Sequence, residues 1–150
     1  MRRRAFLLGG AAVASAPLLT HAQALAGVQD IRPLIQSITR GATARSGGIE
    51  VELPQLAENG NSVPLRIRTA SPMTAAEHVK AIHVLAERNP RPRVATFHSS
   101  PASGRAEVAT RVRLAGSQTV TVLAELSDNS FRIAEAKVLV TTGACLDDSL

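Results

Sequence analysis

The residue with the clearest chemical capacity is Cys145, in the run Thr141-Thr-Gly-Ala-Cys-Leu-Asp-Asp-Ser-Leu150. It is the single cysteine of 150 residues. A lone thiol excludes an intrachain disulfide framework and a cysteine-cluster zinc site. It also excludes haem attachment through C-x-x-C-H and a cysteine-ligated iron–sulfur cluster. Three fates stay open for it. Free cysteine is usually a small buried apolar filler. An odd cysteine in an exported protein invites an intermolecular disulfide. The third fate is covalent chemistry on the sulfur, where the thiolate is the nucleophile. Its place just beyond the last apolar period favours the third, because chain ends without such a period are usually mobile. Gly143 and Ala144 are small and read as a flexible arm that lets another protein's pocket approach. Asp147 and Asp148 are negative neighbours that raise a thiol pKa, so activation is expected from a partner.

Other chemical candidates are weaker. His78, His83 and His98 are scattered, and no metal site is expected of them. Ser99 and Ser100 follow His98, but adjacency is not a triad and no G-x-S-x-G elbow is present. The sequence contains no P-loop, dinucleotide fingerprint or H-E-x-x-H. Gly104-Arg105 could contact an anion, although it reads more simply as the end of a turn. No cofactor is expected. With no Trp, no Tyr and three Phe, base stacking on nucleic acid is not expected either.

Charge and compartment are linked. The net charge is +5, from 17 Lys and Arg against 12 Asp and Glu. Setting aside Arg2, Arg3 and Arg4 leaves +2. Those arginines open a leader, with an apolar stretch from Phe6 to Ala16 and small-residue cleavage sites at Thr20-His-Ala22 and Ala22-Gln-Ala24. The stretch is too short to cross a ~30 Å hydrocarbon core as a helix. The layout is that of a signal peptide. Arg3-Arg4-Ala5-Phe6-Leu7 follows the twin-arginine pattern, so residues 1–24 are expected to direct export to the periplasm, with no membrane anchor retained.

The elements that would position Cys145 follow from periodicity. Asp30 to Arg40 reads as a helix: Asp30 caps it, Pro33 sits in its first turn, and Gly41 stops it. Ile31, Leu34, Ile35 and Ile38 form one apolar stripe. Gly41 to Gly48 reads as a linker. From Ile49 the period changes to two, giving strands at 49–53, 63–68, 79–86, 94–98, 106–114, 119–125 and 131–141. Turn chemistry separates them, including Glu58-Asn-Gly-Asn61, Asn89-Pro-Arg-Pro92 and Ala115-Gly-Ser117. The expected fold is all-β, an immunoglobulin-like antiparallel sandwich of about seven strands preceded by one N-terminal helix. Three parts are expected: a signal peptide over 1–24, helix plus sandwich over 25–142, and a cysteine arm over 143–150.

Several blocks, in order along nearly the whole chain, resemble the sulfur-oxidation carrier family SoxY. They are the leader, Leu53-Pro-Gln-Leu-Ala-Glu-Asn-Gly-Asn-Ser-Val-Pro64, and Ser71-Pro-Met-Thr-Ala-Ala76. Val79 to Pro90, Val94-Ala-Thr-Phe-His98, Gly104 to Leu114 and the cysteine-bearing tail complete the set. The resemblance implies a carrier rather than an enzyme. In that family a G-G-C-G-G arm holds thiosulfate-derived sulfur covalently and swings it among partner enzymes. Cys145 matches the carrier cysteine and Gly143 the first glycine. Ala144, Leu146 and Asp147 depart from the pattern. The implied partners are a SoxZ-like subunit and SoxXA-, SoxB- and SoxCD-like enzymes, which respectively load thiosulfate, release sulfate and oxidise the remaining sulfur. The competing expectation is an exported immunoglobulin-like adhesion or assembly module with a dimer-forming cysteine. A small thiol enzyme ranks below both, because no base or oxyanion site accompanies Cys145.

Overall fold

A computed structural model describes residues 27–144. The leader, with Arg3 and Arg4, and Cys145 lie outside the described residues. One helix, α1 (Arg32–Thr39), precedes nine strands. They are β1 (Ala44–Ser46), β2 (Ile49–Glu52), β3 (Leu56–Asn59), β4 (Val63–Thr69) and β5 (Val79–Ala86), then β6 (Arg93–His98), β7 (Glu107–Val112), β8 (Gln118–Leu126) and β9 (Phe131–Thr142). The strands form two facing sheets. The larger runs β1-β9-β8-β5-β6, with β3 also paired to β9; the smaller runs β2-β4-β7.

The expected sandwich is present, and all seven expected strands occur within two residues of their bounds. Strand alternation explains why. Val63, Leu65 and Ile67 of β4 point inward and are at most 2% exposed. They meet Ile82, Val84, Val120, Val122 and Val138 from the larger sheet. Each such side chain contributes ~1.5–3 kcal/mol by leaving water.

β5 and β8 read as apolar almost throughout because the larger sheet is covered on both faces. On its outer face Leu85, Leu123 and Phe131 pack against Ile38 of α1, with Ile31, Leu34 and Ile35 alongside. The helix stripe and the outer face of the sheet thus form a second core. Arg40 closes the helix in the left-handed region at φ 54°, followed by Gly41 at φ 81°. Its guanidinium lies 5.5 Å from the Phe131 ring centroid and 2.9 Å from Glu125. Asp30 does not occupy the capping position, which falls on Ile31. Asp30 instead accepts bonds from the Arg32 side chain and N–H, which hold its carboxyl at about 2.

Two expectations need correction. The supposed linker 41–48 contains β1, paired in parallel with the first residues of β9. Leu56–Asn59, part of it expected as a turn, is β3, which pairs in parallel with the last residues of β9. β9 is long enough to serve both, with β8 on its other side. Three- and four-residue strands carry too little alternation to be recognised locally; the long strand beside them creates the ladder.

Candidate functional site

β9 delivers the chain to the tail, and its final residues are locked to the body. Three turns meet them at one end of the sandwich. The Gly60 N–H donates to the Thr142 carbonyl at 2.7 Å, and the Leu114 N–H donates to the Gly60 carbonyl at 2.8 Å. The Ala144 N–H then donates to the Leu114 carbonyl at 2.9 Å. Ala144 is 8% exposed. Gly143 and Ala144, expected as the first residues of a free arm, are therefore packed on the body.

Two glycines make this packing possible by lacking a side chain. A Cβ on Gly60 would stand 2.3 Å from the Leu114 carbonyl oxygen and 2.9 Å from the Ala144 nitrogen. A Cβ on Gly143 would stand 2.2 Å from the Ala115 carbonyl oxygen. Neither glycine uses a positive φ. The small residue at 143 serves close approach, not conformational freedom.

The 113–118 segment, against which the tail rests, is itself fixed by two buried amides. Asn89 donates to the Arg113 carbonyl at 2.8 Å. Its Oδ1 accepts from the Ala115 N–H at 3.0 Å and from the Gln118 amide at 3.2 Å. Gln118 donates also to the Gly116 carbonyl at 3.1 Å and accepts from the Arg88 N–H at 2.9 Å. Ser117 Oγ accepts from the Val140 N–H at 2.8 Å, which ties the segment to β9. Buried polar groups satisfied this fully specify one arrangement.

Sequence reading named the turns holding Gly60, Asn89 and Ala115 but not their joint purpose. Their types signal turns; only the tertiary fold brings them to one end. Leu114 read only as the last inward residue of a strand, and Gln118 carried no separate signal.

The histidines do not converge. His78 Nδ1 lies 3.0 Å from the Thr74 carbonyl. His83 sits on the outer face of the larger sheet, 9% exposed, with Nδ1 3.1 Å from Thr96 Oγ1. Its Nε2 is buried without a partner among the described residues. Burial, with Arg93 nearby, holds this imidazole below its usual pKa. His98 stands on β6 opposite Ala81. No group of three or more His, Cys, Asp or Glu that could hold a metal occurs among the described residues. No described helix is long and apolar enough to cross a membrane.

Fold and site together define a β-sandwich scaffold that anchors the strand leading to the sequence's sole cysteine. Comparison with known proteins gives that class a family. The profile described as "Sulfur oxidation protein SoxY" matches residues 35–145, and the chain belongs to the SoxY family, whose members are sulfur carriers. Among solved structures it is similar to the sulfur carrier protein SoxY from Chlorobium limicola f thiosulfatophilum. That pair has 25% identity and a TM-score of 0.61, covering 73% of this chain and 94% of that one. A superoxide reductase (neelaredoxin) from Ignicoccus hospitalis shares the fold at 15% identity and a TM-score of 0.56, covering 63% and 80% of the two chains. A putative superoxide reductase from Thermotoga maritima does so at 19% and 0.53, covering 65% and 87%. Those two likenesses concern the fold alone. No curated protein sequence matches the chain.

Proposed function

We propose that this protein is a periplasmic carrier that holds thiosulfate-derived sulfur covalently on Cys145 and presents it to partner enzymes. The observation that carries the reading is the anchor. The family match ends on Cys145, one peptide link beyond Ala144, whose N–H is bonded to the Leu114 carbonyl. One link spans ~3.8 Å, so the thiol starts beside the rigid end of the sandwich rather than at the tip of a long free arm.

This geometry divides the work in two. While the anchor holds, a partner must bring its active site to the end of the sandwich. When the Ala144 bond opens, the tether lengthens from its origin at β9 and the thiol gains reach. A hydrogen bond of this kind contributes only ~0.5–1.5 kcal/mol, so docking of a partner suffices to open it. The body supplies docking surface and stability, and the chemistry belongs to the enzymes that load and unload the sulfur. A SoxZ-like subunit is the proposed constant companion, with SoxXA-, SoxB- and SoxCD-like enzymes as the transient ones. Export through the twin-arginine leader, with Arg3 and Arg4 as its signal, places the protein where thiosulfate is oxidised.

The test is the mass of the protein from cells grown on thiosulfate. The peptide containing Cys145 should carry a sulfur adduct that a reductant removes. Cys145→Ser should abolish both adduct and thiosulfate oxidation while leaving the melting transition unchanged. An unmodified Cys145 in cells that are oxidising thiosulfate through this system would refute the proposal.

A further inference from the structure

A basic groove of about 470 Å³ opens on the seam between the two sheets, beside the tail anchor. Its walls are β6 and β7, the end strands of the larger and smaller sheets. Arg93 lines it from one side and Arg111 and Arg113 from the other, over an apolar floor that includes Val94 and Phe97. Arg91 also lines it but is already engaged. Among the described residues no acidic side chain lines the groove. Arg111 donates to Ser62 at its rim. Among the described residues Arg93 and Arg113, both exposed, form no salt bridge, whereas Arg32, Arg40, Arg66 and Arg68 each do.

The groove and the anchor share their supports. Asn89 lines the groove, and its side chain holds the Arg113 carbonyl and the Ala115 N–H. Between those two residues stands Leu114, whose carbonyl holds Ala144. The wall that carries Arg113 therefore continues directly into the point where the tail meets the body. Arg88 extends the positive charge along the same segment, donating to the Ser117 carbonyl at 3.3 Å. The described acidic residues at this end are Glu58 on β3 and Glu87, and Glu87 is turned to the Thr119 N–H at 3.0 Å. Guanidinium groups so placed offer a carboxylate-bearing surface charge-assisted, bidentate pairs. Their potential also steers an acidic partner to the end of the sandwich where the tail begins.

We propose that the groove is the docking site for an acidic surface of an enzyme that acts on Cys145. Partner carboxylates pair with Arg93, Arg111 and Arg113, and an apolar partner side chain rests on the floor formed by Val94 and Phe97. The choice of occupant rests on the carrier reading; the chemistry of the groove does not. Docking here sets a partner's active site against the end of the sandwich from which Ala144 leads to Cys145. Exposed ion pairs are weak and salt-sensitive, so the contact is readily reversed, as a carrier visiting several enzymes in turn requires.

The test uses the full-length mature chain and two probes. A hexaglutamate peptide titrated into the ¹⁵N-labelled protein should shift the Arg93, Arg111 and Arg113 side-chain resonances saturably. In about 1 M NaCl, where the Debye length falls to ~3 Å, the shifts should vanish. Arg93→Gln with Arg113→Gln should weaken peptide binding about tenfold, with the sheet resonances reporting the fold. Thiosulfate at equal ionic strength is the second probe and should produce no saturable shift. In cells grown on thiosulfate the same double variant should lower the fraction of Cys145 carrying a sulfur adduct about tenfold. Arg45→Gln with Arg105→Gln, an equal loss of charge away from the groove, should leave that fraction unchanged. Shifts at all exposed arginines alike, peptide binding that survives the groove substitutions, or loading indifferent to them would overturn the proposal. So would saturation of the groove by thiosulfate, which would assign it to a free oxyanion. An unmodified chain without any adduct would refute the carrier reading, and the peptide titration would still decide the groove.

Discussion

Gly143→Ala separates an anchored tail from a free one by the sign of its effect. On a free arm, alanine for glycine reduces the freedom of the unfolded chain and is neutral, or stabilising by ~0.4–1 kcal/mol. In the anchored arrangement the new Cβ meets the Ala115 carbonyl oxygen at 2.2 Å and its carbon at 3.0 Å. That oxygen cannot retreat cheaply, because the Ala115 N–H is bonded to buried Asn89 and the next residues are held by Gln118 and Ser117. Overpacking of this kind costs ~1–3 kcal/mol when the backbone stays in place. The alternative is for the tail to unlatch, which sacrifices the Ala144 hydrogen bond at ~0.5–1.5 kcal/mol and returns one small methyl group to water at ~0.8 kcal/mol. The cheaper route sets the cost, so the expected destabilisation is ~1–2 kcal/mol. For a domain of this size that is a fall of roughly 3–8 °C in Tm. Urea denaturation measures the free energy, and amide exchange at Ala144 reports the route. Protection at that amide should fall about tenfold or more while the amides of β5 and β8 keep their order of protection. An unchanged or raised stability, with Ala144 protection intact, would refute the anchor.

Asn89→Ala should cost about 2–4 kcal/mol, since it leaves the Arg113 carbonyl, the Ala115 N–H and the Gln118 amide short of partners in a buried place. Chemical denaturation measures it, and the Ala144 amide should lose protection at the same time. Stability should also decline as pH falls from about 6.5 towards 5. His83 stays neutral in the folded protein below its usual pKa, because it is buried, faces Arg93 and His98 with Glu125 opposing, and has a buried Nε2 with no hydrogen-bond partner among the described residues. The unfolded chain takes up that proton first, so the stability present above ~6.5 is lost as pH falls. Melting curves across this range should flatten in His83→Gln, and an unchanged slope would dismiss the assignment.

Much of the fold was legible because its causes are local. The inward row Val108, Thr110, Val112 and Leu114, with Glu107, Arg111 and Arg113 outward, follows from strand alternation. The stripe of α1 follows from the helical repeat, and its partner face on β5 and β8 explains why those strands carry apolar residues on both sides. The family was legible too, because blocks that resemble it recur in order within residues 35–145, the span its profile matches. β1 and β3 were not legible, since three or four residues form a strand there only because β9 runs beside them. The tail illustrates the same division. That a lone cysteine stands just past the last strand is a property of the sequence. Whether Gly143 loosens the chain or permits a tight contact depends on what lies within 3 Å of it. That neighbour is the Ala115 carbonyl, 28 residues away and held in place by Asn89, another 26 residues earlier. Such coincidences of distant turns have no local signature. Excluded volume and buried hydrogen bonding act between whatever groups the fold brings together, and only the tertiary structure decides which groups those are.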